Sequence, residues 1–303
     1  MKNFTIGTME IIDLNKQVFR VLNGLGNPKP PLDLKVVREL LNLDRQFYTS
    51  QDTSAVMEMV SKVKIAGKQL LKRPTLLFEV IQKANLSALW IPDQKRILID
   101  AEKPKLKHRW NEAHEIGHSI APWHNQYLFG DTDVTLSPSF CEQIEGEANY
   151  VAGSLLFMQS RFVDEALACP VNIGTIQSLA KTFGNTKTST LWRFIEEAHG
   201  GKALVGIITK HPSLFTTNNT VQTCKHCVES PIFKKTFSKV SEKELYTHIT
   251  GYCSKRTGGF LGESEIILRD DNGDDHQFHF ESFSNTYEVL TIGEYQKPYS
   301  HIF

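Results

Sequence analysis

The sequence predicts an α+β protein, and three observations support this fold class. Before residue 86, apolar residues recur every three or four positions, as they do on amphipathic helices. The period shortens over residues 86–100, where two short apolar runs flank a proline-containing turn. Residues 201–303 contain further apolar runs bounded by turn residues, which predicts a separate strand-rich domain.

Bulk composition narrows the function classes. A chain of 303 residues can form two or three domains, and 40% hydrophobic with 22% charged residues excludes extensive disorder. Lys+Arg and Asp+Glu both total 34, so no net basic charge attracts nucleic acid or an anionic membrane. No signal-peptide core or membrane-length apolar run is evident, and the odd count of 5 cysteines suits a reducing compartment. We therefore expect a cytoplasmic protein with no membrane partner.

Residues 1–33 predict a short helix followed by a linker. The helical spacing is that of Ile11, Leu14, Val18, Val21 and Leu22. Glycine and proline dominate residues 23–31, and they lack the strand–turn–helix context of a phosphate-binding loop. We therefore interpret this segment as an N-terminal extension.

Three helices and a hairpin are predicted next. The helices are expected over residues 34–49, 53–71 and 75–84, the first with Asp33 as its N-cap. Two strands, 86–91 and 95–100, are joined by Pro92-Asp93-Gln94, a connection typical of a hairpin.

A helix from about Lys105 to Ile120 contains the motif His-Glu-x-x-His. His114 and His118 lie four residues apart on one helical face, so both imidazoles can bind one zinc ion. Glu115 lies beside them and is placed to act on a metal-bound water. The pattern predicts half of a zinc site, because a catalytic zinc has three protein ligands.

Two residues are candidates for the third ligand. Five residues separate His124 from His118, a spacing at which a third histidine ligand occurs in metzincins. That arrangement needs a tight turn, which glycine usually makes, and here the turn would fall on Ala121-Pro122. The stronger candidate is Glu145 on a second helix, predicted from about Ser139 to Gln159.

The second helix presents Glu145, Asn149 and Ala152 on one face. Small residues on that face favour close packing against the metal helix. Glu147 is expected to point away from it. Glu142 shares the Glu145 side, where it could support the site, and it also completes a capping box with Ser139.

His114-Glu115-Ile116-Gly117-His118 followed by Glu145–Leu156 resembles the ImmA/IrrE family of zinc metallopeptidases. The shared pattern is a His-Glu-x-x-His helix, then Glu-x-x-Ala-Asn, a small residue and two leucines, over roughly residues 80–165. Phe157-Met158 depart from the Met-Pro that is common there. The resemblance implies a zincin-like domain over residues 34–165, with His114, His118 and Glu145 as zinc ligands and Glu115 as catalytic base.

The resemblance also implies a substrate class: a helix-turn-helix repressor, cleaved to induce stress-response or mobile-element genes. His124 and Tyr127 are candidate oxyanion donors, and Asn149 is a candidate supporting residue behind the ligands. The strand Arg96–Asp100 is predicted to pair with an extended substrate.

Residues 166–200 predict two short helices around Phe183-Gly184-Asn185, which is typical of a helix-turn-helix. DNA binding is one interpretation; a packing unit that supports the peptidase core is the other. The packing interpretation is favoured, because the segment has few of the basic residues that DNA binding needs and two glutamates lie among them. The residues concerned are Lys181, Lys187, Arg193, Glu196 and Glu197.

The strand-rich region, residues 201–303, contains a predicted hairpin around Asp270–Gly273. By analogy with the family, this region could be a GAF-like sensor domain. A second, structural zinc could bind Cys224, Cys227, His248 and Cys253. Buried thiols or a redox-sensitive pair are the alternatives.

Together these observations predict a cytoplasmic zinc endopeptidase. One alternative is a DNA-binding or sensor regulator whose zinc site is structural or vestigial, and another is a hydrolase acting on a different amide substrate. Glu115 argues against a structural site, which would have no use for a base.

Overall fold

The structure, a computed structural model, describes residues 6–48, 88–91, 95–124, 138–210 and 224–300. The chain forms two compact units, Met1–Gln159 and Ser160–Phe303, called here the N-terminal and C-terminal units. Both helices and sheets are present, so the predicted α+β class is confirmed. In the described parts of the chain, no helix has the length and apolar character needed to cross a membrane.

The helices of the N-terminal unit include α1 (Thr8–Gly24), α2 (Leu34–Leu41), α3 (Lys105–Ile120) and α4 (Pro138–Leu156). Its strands are β1 (Asp44–Tyr48), β2 (Ala88–Ile91) and β3 (Arg96–Asp100). The predicted N-terminal helix is confirmed, since α1 buries Leu14, Val18, Val21 and Leu22. The bounds of α3 match the prediction, and α4 ends three residues earlier than expected.

The predicted helix over 34–49 is wrong beyond Leu41. Asp33 caps the start as expected, because its carboxylate accepts a hydrogen bond from the Lys35 amide at 2.8 Å. Asn42 then adopts a left-handed conformation, with φ of 56°, and ends the helix. Residues 44–48 pair in parallel with β3, a partner some fifty residues away that local periodicity does not reveal. The helices predicted over 53–71 and 75–84 lie outside the described residues, and so does the side chain of Ser139, which the predicted capping box requires.

The order of the three-stranded sheet is β1-β3-β2. The predicted hairpin is confirmed, because β2 and β3 pair antiparallel from Ala88↔Ile99 to Ile91↔Arg96. The expectation that Arg96–Asp100 pairs with a substrate is wrong. That strand is central, so β1 and β2 already take the hydrogen bonds on both of its sides.

The C-terminal unit begins with the helices α5 (Ser160–Leu167), α6 (Ile173–Phe183) and α7 (Lys187–Arg193), followed by a π-helical turn over Phe194–Ala198. Next come β4 (Leu204–Thr209), β5 (His226–Glu229), α8 (Pro231–Thr236) and α9 (Glu242–Tyr252). The last strands are β6 (Gly259–Arg269), β7 (Asp275–Ser284) and β8 (Val289–Pro298). They form an antiparallel sheet of order β5-β4-β8-β7-β6, which includes the predicted hairpin around 270–273.

Alternation along β7 explains how this sheet buries one face. Phe278 and Phe280 are buried, while the residues between and beside them are only partly buried. The two phenylalanines pack in one apolar cluster with Phe233 and Phe237 at α8, and α9 adds Leu245 and Ile249. This cluster covers one face of the sheet, and on the other face Gly206 of β4 lies against Leu191 and Ile195.

Helices α6 and α7 have the cap residues expected of two short helices around a turn. Asn172 and Thr186 cap their N-termini, and Gly184 closes α6 with φ of 68°. Their apolar stripes are buried, and the two helices contact strands of the C-terminal sheet. The packing interpretation of residues 166–200 is therefore favoured, with this sheet as the packing partner. The domain boundaries predicted after residues 33, 165 and 200 remain predictions.

Candidate metal centre

Helix α3 brings His114 and His118 together on one face, as the four-residue spacing predicts. Their Nε2 atoms lie 3.2 Å apart, and their rings meet edge to face with centroids separated by 4.8 Å. The imidazole of His118 is buried and that of His114 is 14% exposed. Two ring nitrogens therefore converge on one point at the edge of the N-terminal unit.

Glu145 on α4 completes the group. One carboxylate oxygen lies 3.1 Å from His114 Nε2, and the other lies 3.5 Å from His118 Nε2. The structure therefore gathers all three of the predicted zinc ligands. The alternative third ligand, His124, is not a member of this group.

A close approach of α3 and α4 allows this convergence. A Cβ atom on Gly117 would lie 2.8 Å from the carbonyl oxygen of Ala148 and 3.3 Å from the Val151 side chain. Real Cβ atoms do not come that close to backbone, so only glycine fits at this crossing. Ala148 and Ala152 are fully buried on α4, which confirms that its small-residue face packs inward.

The donor set fits a zinc ion. Tetrahedral zinc with ligand bonds of ~2.0–2.2 Å places its ligand atoms about 3.3–3.6 Å apart. The two histidine nitrogens, 3.2 Å apart, lie close to that range, and each has a different oxygen of the Glu145 carboxylate nearby, at 3.1 or 3.5 Å. Two imidazole nitrogens and one carboxylate are also the ligands of known catalytic zinc sites.

Electrostatics hold Glu145 in the form that binds metal. Burial opposes its ionisation, but hydrogen bonds with His114 and His118 outweigh burial and keep the pKa of this carboxyl far below its ordinary value. Burial lowers the pKa of His118. Burial acts in the same direction on His114, yet its hydrogen bond to Glu145 prevails and raises the pKa of that imidazole.

Asn149 supports His114 from behind, as predicted. Its side-chain oxygen lies 3.1 Å from His114 Nδ1 and accepts a hydrogen bond when that nitrogen carries the proton. In a neutral ring with this tautomer, the lone pair lies on Nε2, the atom that faces Glu145. In the cation that the raised pKa favours, Nε2 carries a proton that Glu145 accepts.

His124 lies behind His118 instead of at the ligand group. The chain turns after α3, and His124 Nδ1 comes to 3.1 Å from His118 Nδ1, the nitrogen opposite the ligand atom. His124 Nε2 lies 2.9 Å from a carboxylate oxygen of Glu147. The prediction that Glu147 points away from the site missed this contact, because it depends on the turn after α3 and not on helical periodicity.

Glu115 directly follows His114 on α3 and is buried, and its charge helps to raise the pKa of His114. Glu142 is exposed, and no contact with the ligand group is seen for it. Tyr127, the other candidate oxyanion donor, lies outside the described residues.

Glu112 is a structural residue that the sequence did not reveal. It is 4% exposed and lies on α3 between two arginines, Arg38 at 2.6 Å and Arg45 at 2.8 Å. These ion pairs connect α2 and β1 to the metal helix. Strand β1, which the sequence analysis predicted as part of a helix, thus helps to hold α3 in place.

The predicted second zinc site is not assembled. Across the residues that the structure describes, two groups have three ligand atoms within 4.8 Å of one another, and neither includes Cys224, Cys227, His248 or Cys253. Burial raises the pKa of the Cys227 thiol, with help from Glu229 and Glu242, and burial also raises that of Cys253. These cysteines are partly buried, so desolvation favours neutral thiols, and the alternative of fully buried thiols is not met.

The second of the two groups lies on the C-terminal sheet and consists of Glu263, His279 and Glu281. His279 Nε2 lies 3.6 Å from Glu281 and 3.9 Å from Glu263, while its Nδ1 pairs with Glu265 at 2.8 Å. All of these side chains are at least partly exposed.

No protein-family model matches the chain, and no curated protein matches its sequence. Among solved structures, a Mycobacterium tuberculosis transcriptional regulator is similar to it. The identity is 12% and the TM-score 0.49, over 93% of this chain and 88% of that one.

Proposed function

We propose that the protein is a zinc-dependent endopeptidase of the ImmA/IrrE type. The observation that carries the proposal is the convergence of His114, His118 and Glu145, whose ligand atoms lie within 4.8 Å of one another. The resemblance in sequence motifs gives the reaction class, and the packing of α3 on α4 supports the pairing of those two motifs.

The residues then have separate roles. His114, His118 and Glu145 would hold the metal, and Asn149 would orient His114. Zinc, when bound, acts as a Lewis acid and lowers the pKa of a coordinated water to ~7. Glu115 would accept a proton from the attacking water and pass it to the leaving amine.

The exposure of the group supports a catalytic site over a structural one. Structural zinc sites have four protein ligands and are closed to solvent, whereas catalytic sites have three and an open position. Three candidate ligands are gathered in the described residues, and the side chain of Glu145 is 58% exposed. A substrate and a water molecule could therefore reach the site from the Glu145 side.

We propose a helix-turn-helix repressor as the substrate, on the basis of the family resemblance. We also propose a sensor role for the C-terminal unit, whose antiparallel sheet with a helix-covered face is compatible with a GAF-like domain. These two steps rest on analogy and are separate from the chemistry of the site.

The test combines metal analysis with the Glu115→Gln variant. We expect about one zinc per chain in both the wild type and the variant. Incubated with a repressor encoded beside its gene, the wild type should yield one discrete cleavage by mass spectrometry, and the variant none. A variant that cleaves at the wild-type rate would exclude Glu115 as the base. Zinc retention without cleavage by either protein would favour a regulator with a structural zinc.

A further inference from the structure

A buried chain of polar side chains runs from the candidate metal centre to α4. It starts at His118, passes through His124 and ends at Glu147. His124 is 0% and Glu147 1% exposed, so neither is solvated. Burying polar groups of this kind is costly unless each has a hydrogen-bond partner.

The direction of these hydrogen bonds follows from the contacts of Glu147, the last of the three polar side chains. One of its oxygens lies 2.6 Å from Trp123 Nε1 and the other 2.9 Å from Gln143 Nε2, and both of those nitrogens can only donate. Surrounded by donors, the carboxylate is an acceptor, so His124 Nε2 donates to it as well across 2.9 Å.

The same reasoning assigns the proton of the His124 ring. With the proton on Nε2, a neutral ring has its lone pair on Nδ1, which faces His118 Nδ1 at 3.1 Å. His118 must then donate from Nδ1. Its own lone pair is left on Nε2, the atom that lies 3.5 Å from Glu145.

We propose that His124 and Glu147 are positioning residues that fix His118 as a metal ligand through Nε2 and thereby set the metal affinity of the site. The inference rests on the proposed function, since it requires that the group bind zinc. The proposal gives the two histidines different supporting groups. A neutral amide supports His114, whereas a buried carboxylate supports His118 through a second imidazole.

Zinc affinity, measured by competition with a chromogenic chelator, tests the proposal directly. Residues that support a metal ligand change affinity by about 10–100-fold. We expect a loss of that size in Glu147→Gln, which keeps the shape of the side chain but removes its charge. Glu142→Gln on the same helix is the matched control, because Glu142 is exposed, and it should bind zinc like the wild type.

A second pair of variants separates hydrogen bonding from packing. His124→Leu fills the site without an acceptor, whereas His124→Gln offers an amide oxygen to His118 Nδ1. We expect a 10–100-fold loss of affinity in the leucine variant and recovery of most of it in the glutamine variant. Equal losses in both would overturn the proposal and leave His124 a packing residue.

The wild-type protein provides a readout that does not depend on any variant folding. Nitrogen-15 NMR of the zinc-loaded protein should show a proton on His124 Nε2 and none on His124 Nδ1. A proton on His124 Nδ1 would overturn the inference. Failure of the wild type to bind zinc would refute the proposed function, whereas normal zinc binding by both Glu147→Gln and His124→Leu would refute only the role of the buried chain.

Discussion

The two units each contain a group of histidine and carboxylate side chains with ligand atoms within 4.8 Å of one another. In the N-terminal unit the group is His114, His118 and Glu145 on two packed helices. In the C-terminal unit it is Glu263, His279 and Glu281 on the surface of a sheet. Proximity is therefore common to both, and the difference lies in what the other atoms of the histidines contact.

In the N-terminal group, Nδ1 of each histidine has its own partner, Asn149 or His124, so both Nε2 atoms are directed at the ligand position. In the C-terminal group, both nitrogens of His279 face glutamates. Burial disfavours the His279 cation, but the hydrogen bond to Glu265 and the nearby glutamates outweigh it and raise the pKa of His279. The contact with Glu145 raises the pKa of His114 as well, so the direction of this shift does not distinguish the two groups. The number of imidazoles does, since the N-terminal group has two and the C-terminal group has one.

This comparison shows that three nearby ligand atoms do not define a metal site. Ligand type and burial also matter: the N-terminal group has two imidazoles, one of them buried, whereas the C-terminal group has one partly exposed imidazole and two carboxylates. We therefore expect the N-terminal group to bind zinc and the C-terminal group to behave as a surface ion-pair cluster.

The largest difference should appear when one histidine is removed from each group. His114→Ala removes a ligand, so zinc affinity should fall by more than the ~10–100-fold typical of supporting residues. His279→Ala should leave the zinc content at about one per chain. Elemental analysis after dialysis measures both. Loss of zinc in His279→Ala, with retention in His114→Ala, would reverse the comparison.

A matched glycine pair tests whether the N-terminal group depends on tight helix packing. Gly117→Ala places a methyl group 2.8 Å from a backbone oxygen, and overpacking of this kind costs ~1–3 kcal/mol. Gly251→Ala, in α9 of the C-terminal unit, meets nothing within 4 Å and should be neutral or stabilising by up to ~1 kcal/mol. Urea unfolding measures both changes, and zinc affinity should fall only in Gly117→Ala. Equal stability of the two variants would contradict the close approach of α3 and α4.

The smallest effect concerns the pH dependence of the C-terminal group. Because the folded-state pKa of His279 is raised, its stabilising contribution is complete below the unfolded pKa of ~6.5 and is lost as the pH rises through the folded value. The glutamate partners are largely exposed, so the contribution is at most ~1 kcal/mol.

The comparison of wild type and His279→Gln isolates this contribution. The difference in their free energies of unfolding should be larger at pH 6 than at pH 9, as measured by urea titration. A difference that stays constant across this range would show that the His279 ion pairs do not contribute.

Particular residues show which features follow from a local sequence pattern and which depend on contacts between distant segments. The spacing of His114 and His118, and the shared face of Glu145 and Asn149, follow from the helical period of 3.6 residues. The hairpin of β2 and β3 follows from two apolar runs and a short turn. Strand β1 could not be predicted, since its partner β3 is distant in sequence and its own residues show no strand alternation. The cysteine set was misjudged as a zinc site because spacing alone does not reveal burial.

The sequence by itself determined which residues could bind zinc, because a helix fixes the relative directions of side chains within a few turns. Only the tertiary structure decided that α3 and α4 approach closely at Gly117, that Arg96–Asp100 is a central strand, and that His124 and Glu147 lie behind His118. These features depend on contacts between segments far apart along the chain. Such contacts are set by packing and burial, which no local period encodes.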